Sequence, residues 1–357
     1  MIQTLALLHA AYRELNARKL FWITLIISGL LVGAFAIVGI NPKGLTILWW
    51  EFEIPQFNST LIPPDVFYKV LFAALGVSFW LAWLATILAL VSTSSIIPDM
   101  VSGGSIDILL SKPIGRVRLF LTRYVTALLF VTIQVTVFTV ASFVVIGTRG
   151  GVWEPWILIA IPLVVVFFSY LYSVCALVGV LTRSTIASLL ITILFWLLIF
   201  GVGSAEQVTL LGQTSSQMAL EYAEEDHEVA VEQGDPTMLG PAENQLISAR
   251  ENHETWATTH KVFYWLKVIL PKTDETIGLL ERVLRKYAGM ESFGGPEEDE
   301  TRRVFGGGGT RINMRELTER IQEEIDSRSV AWVIGSSLLF EFVVLSFACW
   351  RFSRRDF

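Results

Sequence analysis

The chain has 357 residues and a net charge of −6, with 53% hydrophobic and 17% charged residues. A typical soluble domain has about 45–50% apolar and about 25% charged residues, so this composition excludes an ordinary soluble enzyme or binding domain. Six stretches are almost free of charge, and Glu341 is the single Asp, Glu, Lys or Arg within them. These stretches cover residues 20–40, 70–98, 124–148, 155–182, 184–205 and 329–350.

About 20 apolar residues of helix are enough to cross a bilayer, so each stretch is long enough to span one. The sequence therefore predicts an all-α membrane protein with six transmembrane helices. In chain order, we expect helices at about 20–40, 70–93, 122–147, 156–181 and 185–204, and a sixth from residue 329 that leads into a basic cytoplasmic tail ending at residue 357.

Residues 1–19 precede the first span. Apolar residues recur at spacings of three and four from Ile2 to Leu15, so one face of a helix is apolar. We expect an amphipathic helix in the cytoplasmic interface, with a plain cytoplasmic extension of the first span as the alternative. Residues 34–36 (Ala-Phe-Ala) have the form of a signal-peptidase site, but the long preceding region carries Glu14, so we expect no cleavage there.

The orientation follows from Lys and Arg in the short connections, which are held back on the cytoplasmic side. With the N-terminus inside, the cytoplasmic segments hold 11 of these residues and the two short outer loops hold three. We therefore expect both termini in the cytoplasm. Residues 206–328 would then form an extracytoplasmic domain, and long domains are translocated regardless of their charge.

The apolar spacing in residues 206–328 predicts helices. We expect helical segments at 217–233, 241–270 and 277–287, then a flexible loop at 289–311, which is rich in glycine and charge. The final apolar face starts near residue 313 and meets no helix breaker before residue 350. We expect one continuous helix there, reaching out of the membrane. This domain could receive substrate or dock an envelope protein.

The sequence offers no catalytic constellation. It has no Gly-x-x-x-x-Gly-Lys-Ser/Thr motif, so we do not expect this chain to hydrolyse ATP. His253 and His260 are seven residues apart on one helical face, but a metal site needs three or four converging ligands. We therefore expect no metal, no other cofactor bound by this chain and no nucleic-acid partner.

Glu341 is the chemically distinctive residue, because a charge in the middle of a span costs about 2.5–3.5 kcal/mol on insertion scales. Such residues face a bundle interior or a water-filled path, so Glu341 is either a structural carboxyl or part of a substrate or proton pathway. The structural alternative requires a polar neighbour. Gln134 and Thr136 in the third span are the candidate partners.

The loop at residues 97–118, between the second and third spans, contains a short amphipathic turn. Ile106 and Leu110 lie on its apolar side and Asp107 is polar, and Pro113 ends the turn because proline cannot continue the hydrogen-bond ladder. A short helix of this kind can press into a groove on a soluble partner. An ordinary interfacial connector explains the same pattern.

This loop resembles the motif of ABC-2 type transporter permeases. The motif reads Gly-Ser-Ile-Asp at residues 104–107 and Leu-Leu-Ser-Lys-Pro-Ile-Gly-Arg at residues 109–116. Residues 12–19 and 352–357 also resemble the two ends of that family, in particular the subgroup linked to multicopper-enzyme maturation. The resemblance covers about residues 1–205 and 329–357. The long segment between spans five and six departs from it, because the family usually has a short one there.

The resemblance implies a permease that forms a homodimer in the cytoplasmic (inner) membrane of a bacterium and binds a separate cytoplasmic ABC ATPase, which holds the ATP and Mg²⁺. The loop would be the coupling helix of this complex. The residues implied in coupling are Asp99, Gly104, Ile106, Asp107, Leu110, Ser111, Lys112, Pro113 and Arg116.

The function implied is export or extraction of a substrate. Because the spans carry few charges, a hydrophobic or lipid-linked substrate is favoured over a small ion. Two alternatives remain open at this point. One is a mechanical signalling complex that uses an ATPase but moves no substrate, and the other is a membrane-anchored scaffold.

Overall fold

A computed structural model describes residues 19–54, 58–101, 115–234, 236–289, 301–302 and 312–354. The described residues form two compact units. The membrane unit comprises the described residues up to 197, together with 273–289 and 337–354. The helical unit comprises residues 198–272 and the described residues between 301 and 336. Apart from Lys19, the predicted interfacial helix at residues 1–19 lies outside the described residues.

Among the described residues, six helical runs are long and apolar enough to cross a membrane, which confirms a multi-pass membrane protein. They are Lys19–Ile37 (α1), Pro64–Val101, Arg116–Arg149 (α5), Pro155–Thr182, Thr185–Gln233 (α7) and Val330–Ser353 (α11). The second run consists of α2 (Pro64–Leu71), a π-helix (Phe72–Ala85), α3 (Thr86–Thr93) and α4 (Ile96–Val101), and the fourth of a 3₁₀ turn (Pro155–Ile159) and α6 (Ala160–Thr182). The other helices in the part of the chain that the structure describes are α8 (Pro236–Ile269), α9 (Thr273–Ala288) and α10 (Met314–Ser327).

The spans differ strongly in burial. In the most apolar 18-residue part of the fourth span, 67% of the residues are buried, whereas the corresponding share in the sixth span is 17%. In α6 the consecutive residues from Phe167 to Cys175 are all buried, and they point to every side of the helix. A helix that is apolar all round is stable only when it is surrounded. The fourth span is therefore the centre of the membrane unit.

A three-stranded antiparallel sheet connects the first two spans, and the sequence analysis did not predict it. Its strands are β1 (Val38–Asn41), β2 (Gly44–Ile47) and β3 (Trp50–Glu53), paired in chain order. The first turn forms because the Asn41 side-chain oxygen accepts hydrogen bonds from the backbone N–H groups of Lys43 and Gly44. Gly44 has a φ of 151°, which favours glycine. An Asn-Pro-Lys-Gly turn between short apolar runs is the signal that predicts this hairpin.

Helix α9 belongs to the membrane unit, although the sequence analysis grouped it with the rest of 206–328. Its apolar spacing was predicted correctly, since Ile277, Leu280 and Leu284 are buried. These residues lie on the face that packs against α6. The predicted loop that follows α9 falls largely outside the described residues, but Thr301–Arg302 (β4) pairs with Ile312–Asn313 (β5).

The helical unit is built on an antiparallel pair made by the second half of α7 and by α8. Gly212 of α7 lies directly against the Trp256 ring of α8, where any side chain at 212 would overlap the ring. Four residues further along α7, Ser216 contacts His253 Nδ1 at 3.4 Å. The contacts move along the two helices in opposite directions, which is the geometry of a helical hairpin.

Helix α10 completes the helical unit. Its Leu317 packs on Met218 of α7, and Tyr222, Met314 and Ile321 surround this pair. Arg320 joins Glu221 of α7 through a contact of 2.8 Å. The apolar core formed by Met218 and Leu317 is small, and the Arg320–Glu221 pair lies on the adjacent surface of the same two helices.

The continuous helix predicted from residue 313 to residue 350 is wrong, because the helix is interrupted at residues 328 and 329. Arg328 has an extended backbone, and the Ser329 side-chain oxygen accepts a hydrogen bond from the Trp332 backbone N–H, so that Ser329 caps a new helix. The uninterrupted helix is instead α7, which runs for 49 residues from the fifth span into the helical unit. Residues 205–216 contain no proline and keep an apolar helical spacing, which explains why α7 continues.

Candidate functional site

The predicted coupling segment is described at its two ends. Residues 102–114 lie outside the described residues. The predicted site residues among them are Gly104, Ile106, Asp107, Leu110, Ser111, Lys112 and Pro113. Asp99 and Arg116 are described, and each lies where the chain enters or leaves the segment.

The first end is held by α4. Ile97, Met100 and Val101 are buried, while Asp99 is exposed. Pro98 packs on Gly179 of the fourth span, where an added Cβ at residue 179 would lie 3.1 Å from the proline ring. The short helix is therefore fixed to the fourth span by its apolar residues, while the Asp99 side chain lies on the surface.

The second end is held by Arg116, the first residue of α5. Its Nη1 atom donates a hydrogen bond of 3.1 Å to the backbone carbonyl of Ser353, the last residue of α11. One turn later the Phe120 ring packs on the Phe352 ring, with 5.8 Å between centroids. The end of the segment is thus joined to the third and sixth spans together.

Glu341 lies where these same three spans meet. Its Oε1 atom is 2.8 Å from the Tyr124 hydroxyl of the third span, and its Oε2 atom is 2.7 Å from the Ser169 hydroxyl of the fourth span. At 1.5 Å per residue, Tyr124 is about 12 Å from Arg116 along α5, and Glu341 is about 18 Å from Ser353 along α11. One polar cluster therefore connects the spans that hold the coupling segment.

The partners that the sequence analysis named for Glu341 are wrong. Gln134 is buried, but its Nε2 atom donates to the Phe21 carbonyl of the first span at 3.5 Å. It lines a cavity of about 10 Å³ with Thr24, Ser28 and Thr86, which is room for about one water molecule. Gln134 lies about 15 Å from Tyr124 along α5, so it belongs to a different part of the membrane unit.

Lys69 forms a second polar cluster, and it is one of the three Lys and Arg residues assigned to the short outer loops. The side chain is 1% exposed, and Nζ contacts Asp65 Oδ2 at 2.9 Å and Glu154 Oε1 at 3.2 Å. Nζ also donates a hydrogen bond of 2.6 Å to the backbone carbonyl of Ala288. This carbonyl is at the C-terminus of α9, where the helix dipole favours a cation. Lys69 therefore holds α9 to the starts of the second and fourth spans.

Glu206 is the third buried charge, and it lies in the helical unit. One carboxylate oxygen is 2.7 Å from Lys267 Nζ, and the other contacts Arg328 and lies 3.4 Å from His260 Nε2. The residue is 0% exposed. The cluster joins α7, α8 and Arg328, the residue that separates α10 from α11.

The two histidines considered as metal ligands, His253 and His260, both lie on α8. His253 contacts Ser216, and His260 contacts Glu206.

Tyr124, Ser169, Lys69 and Glu206 were not predicted as site residues. Tyrosine and serine are ordinary within spans, so nothing in the sequence distinguishes Tyr124 and Ser169 from their neighbours. Lys69 and Glu206 carry a usable signal, because each is a charge placed at the boundary of an apolar stretch.

No protein-family model, curated protein or solved structure matches this chain. The case for a function therefore rests on these residues and their geometry.

Proposed function

We propose that this chain is the membrane-spanning subunit of an ABC-2 type transporter, which works with a separate ATPase to export or extract a hydrophobic or lipid-linked substrate. In this proposal both termini are in the cytoplasm of a bacterium, and two copies of the chain form the permease. This chain contributes no ATP or Mg²⁺ site of its own.

The supporting observation is that both ends of the segment at residues 97–116 are bonded to membrane spans. Pro98 packs on Gly179 of the fourth span, and Arg116 bonds to the end of the sixth span. A displacement of the segment by a bound ATPase would move these spans directly.

The composition of the spans supports the type of substrate. Glu341 is the only charge in the apolar stretches, and hydroxyl groups occupy both of its oxygens. Spans with so little charge are suited to an apolar or lipid-linked substrate, since a small ion needs polar groups to replace its hydration shell.

Purification of the chain from native membranes in a mild detergent tests the proposal. We expect an ABC-type nucleotide-binding subunit to accompany it, and we expect Asp107→Arg to abolish that association. Arg116→Glu should keep the ATPase bound but uncouple its activity from transport, because it removes the bond to Ser353. Lys19→Glu is the matched control, since it reverses an exposed charge at the start of α1. The proposal fails if no nucleotide-binding subunit is present and both loop variants behave as wild type.

A mechanical signalling complex is the second candidate, and α7 is the observation that favours it. This helix runs from Thr185 to Gln233 without a break, so a movement of the fifth span would be passed along the same helix. Reconstituted vesicles containing the ATPase distinguish the candidates. ATP-dependent movement of a labelled lipid or solute supports the transporter, and ATP hydrolysis without any movement supports the signalling complex.

A further inference from the structure

The hydroxyl groups around Glu341 are placed between two kinds of acceptor. The Tyr124 hydroxyl is 2.8 Å from Glu341 Oε1 and 3.0 Å from the Ser169 backbone carbonyl. The Ser169 hydroxyl is 2.7 Å from Glu341 Oε2 and 2.8 Å from the Val166 carbonyl. Each hydroxyl has one hydrogen and two acceptors within reach.

The number of available hydrogen atoms decides which protonation state of Glu341 makes more hydrogen bonds. With an ionised carboxylate, both hydroxyls turn toward Glu341, and their contacts to the two carbonyls are lost. With a protonated carboxyl, the acid O–H donates to the Tyr124 oxygen, Tyr124 donates to the Ser169 carbonyl, and the Ser169 hydroxyl donates to the second carboxyl oxygen. The neutral form therefore makes one more hydrogen bond, and only hydrogen atoms have to move.

The surroundings also favour the neutral form. Within the described ranges, the titratable groups that face the carboxyl are Tyr124 on α5 and Tyr170 on α6, with the Tyr172 ring stacked on the Tyr124 ring at 5.4 Å between centroids. All three are neutral at pH 7. Among the described residues no Lys, Arg or His forms an ion pair with Glu341. An ionised carboxylate here would lack the cation that a buried charge requires.

We propose that Glu341, Tyr124 and Ser169 form a proton-binding site, and that the site holds its proton in this conformation. The proton stays on the Glu341 carboxyl, which donates it in a hydrogen bond to the Tyr124 oxygen, and it is released when α11 separates from α5 and α6, because water then solvates the carboxylate. This proposal does not rest on the permease function, since the site is complete within one chain.

Infrared spectroscopy of the purified full chain at pH 7 tests this proposal. Exposed Asp and Glu residues have pKa values of about 4, so they are ionised at this pH and do not give the carbonyl band of a protonated acid. We expect one such band in the wild type and its loss in Glu341→Gln. In Tyr124→Phe the band should remain but move to higher frequency, because the acid loses the acceptor of its hydrogen bond.

Labelling of all glutamates with ¹³C in the wild type shows whether the acid band comes from a glutamic acid. This test does not depend on a variant that folds poorly. The band must then move to lower frequency, as expected for a glutamic acid carbonyl. The absence of an acid band at pH 7, together with a carboxylate band that disappears in Glu341→Gln, would overturn the proposal. Measuring the spectrum without any ATPase keeps this outcome separate from a failure of the permease proposal.

Discussion

Glu341 and Glu206 are both buried carboxyl groups, yet their surroundings have opposite chemistry. In the membrane unit Glu341 contacts two neutral hydroxyls. In the helical unit Glu206 contacts Lys267, Arg328 and His260. Burial alone would make both groups neutral, but the cations around Glu206 keep it ionised. The partners of a buried carboxyl therefore decide its charge, and the same residue type has two different uses in one chain.

The largest expected effect comes from removing the charge at position 206. Glu206→Gln keeps the size of the side chain but takes the carboxylate away from Lys267 and Arg328, whose side chains are each 10% exposed. Removing one partner of such a buried ion pair typically costs about 3–5 kcal/mol. Thermal unfolding of the purified chain should show a large drop in the midpoint. Glu341→Gln should leave the midpoint nearly unchanged, because glutamine resembles a protonated acid. If both variants lowered the unfolding midpoint equally, the proposal that Glu206 is ionised and Glu341 is protonated would be contradicted.

The Lys69 cluster is expected to have the next largest effect. Lys69→Met preserves most of the packing but leaves Asp65, Glu154 and the Ala288 carbonyl without their shared donor. We expect the free energy of unfolding to fall by about 2–3 kcal/mol. The loss is limited because the two carboxylates are partly exposed and can bind water once Lys69 is removed. Hydrogen exchange should become faster in α9 before it does so in α6. Lys43→Met is the control, because the Lys43 side chain is 67% exposed. Unchanged exchange in α9 would show that Lys69 does not hold this helix.

The contact between α7 and α8 gives a smaller predicted effect. Gly212→Ala places a methyl group where the Trp256 ring lies, and overpacking of this kind costs about 1–3 kcal/mol. Gly201→Ala on the same helix is the matched control, because nothing lies within 4 Å of the added Cβ there. Combining Gly212→Ala with Trp256→Leu should recover part of the loss. A stability gain for Gly212→Ala alone would contradict the close packing of the hairpin.

The surface pairs of the helical unit should contribute least. The hydrogen bond to Glu221, followed by that to Glu316, raises the pKa of the Arg320 guanidinium, which therefore stays charged at every accessible pH. Arg320 is partly exposed, so Arg320→Ala should cost only about 0.5–1 kcal/mol and less at high salt. Thermal unfolding at low and high salt checks this. A loss as large as that of Glu206→Gln would show that the surface charges, rather than the Glu206 cluster, stabilise this unit.

The sequence predicted those features that depend on local composition. The six spans follow from charge-poor stretches, and Glu341 stands out because it is the only charge in them. The amphipathic face of α9 follows from its spacing. These features need no knowledge of which segments meet in space.

The remaining features depend on non-local contacts or on single turns. Tyr124 and Ser169 are separated from Glu341 by 217 and 172 residues, and no periodicity indicates that they meet. The break before α11 depends on one capping residue, Ser329, within an otherwise helical pattern. The sheet was missed because its strands have four residues each, which is too short for a clear alternation, so the turn at residues 41–44 is the local signal that could have indicated it.

Two of the bonds that join distant elements end on main-chain oxygens. Arg116 bonds to the carbonyl of Ser353, and Lys69 bonds to the carbonyl of Ala288. Any amino acid supplies the same carbonyl, so substitutions at 288 and 353 leave the acceptor in place. An inserted or deleted residue in the last turn of either helix would instead rotate the carbonyl by about 100°. These two hydrogen bonds therefore constrain the lengths of α9 and α11 rather than the identities of residues 288 and 353.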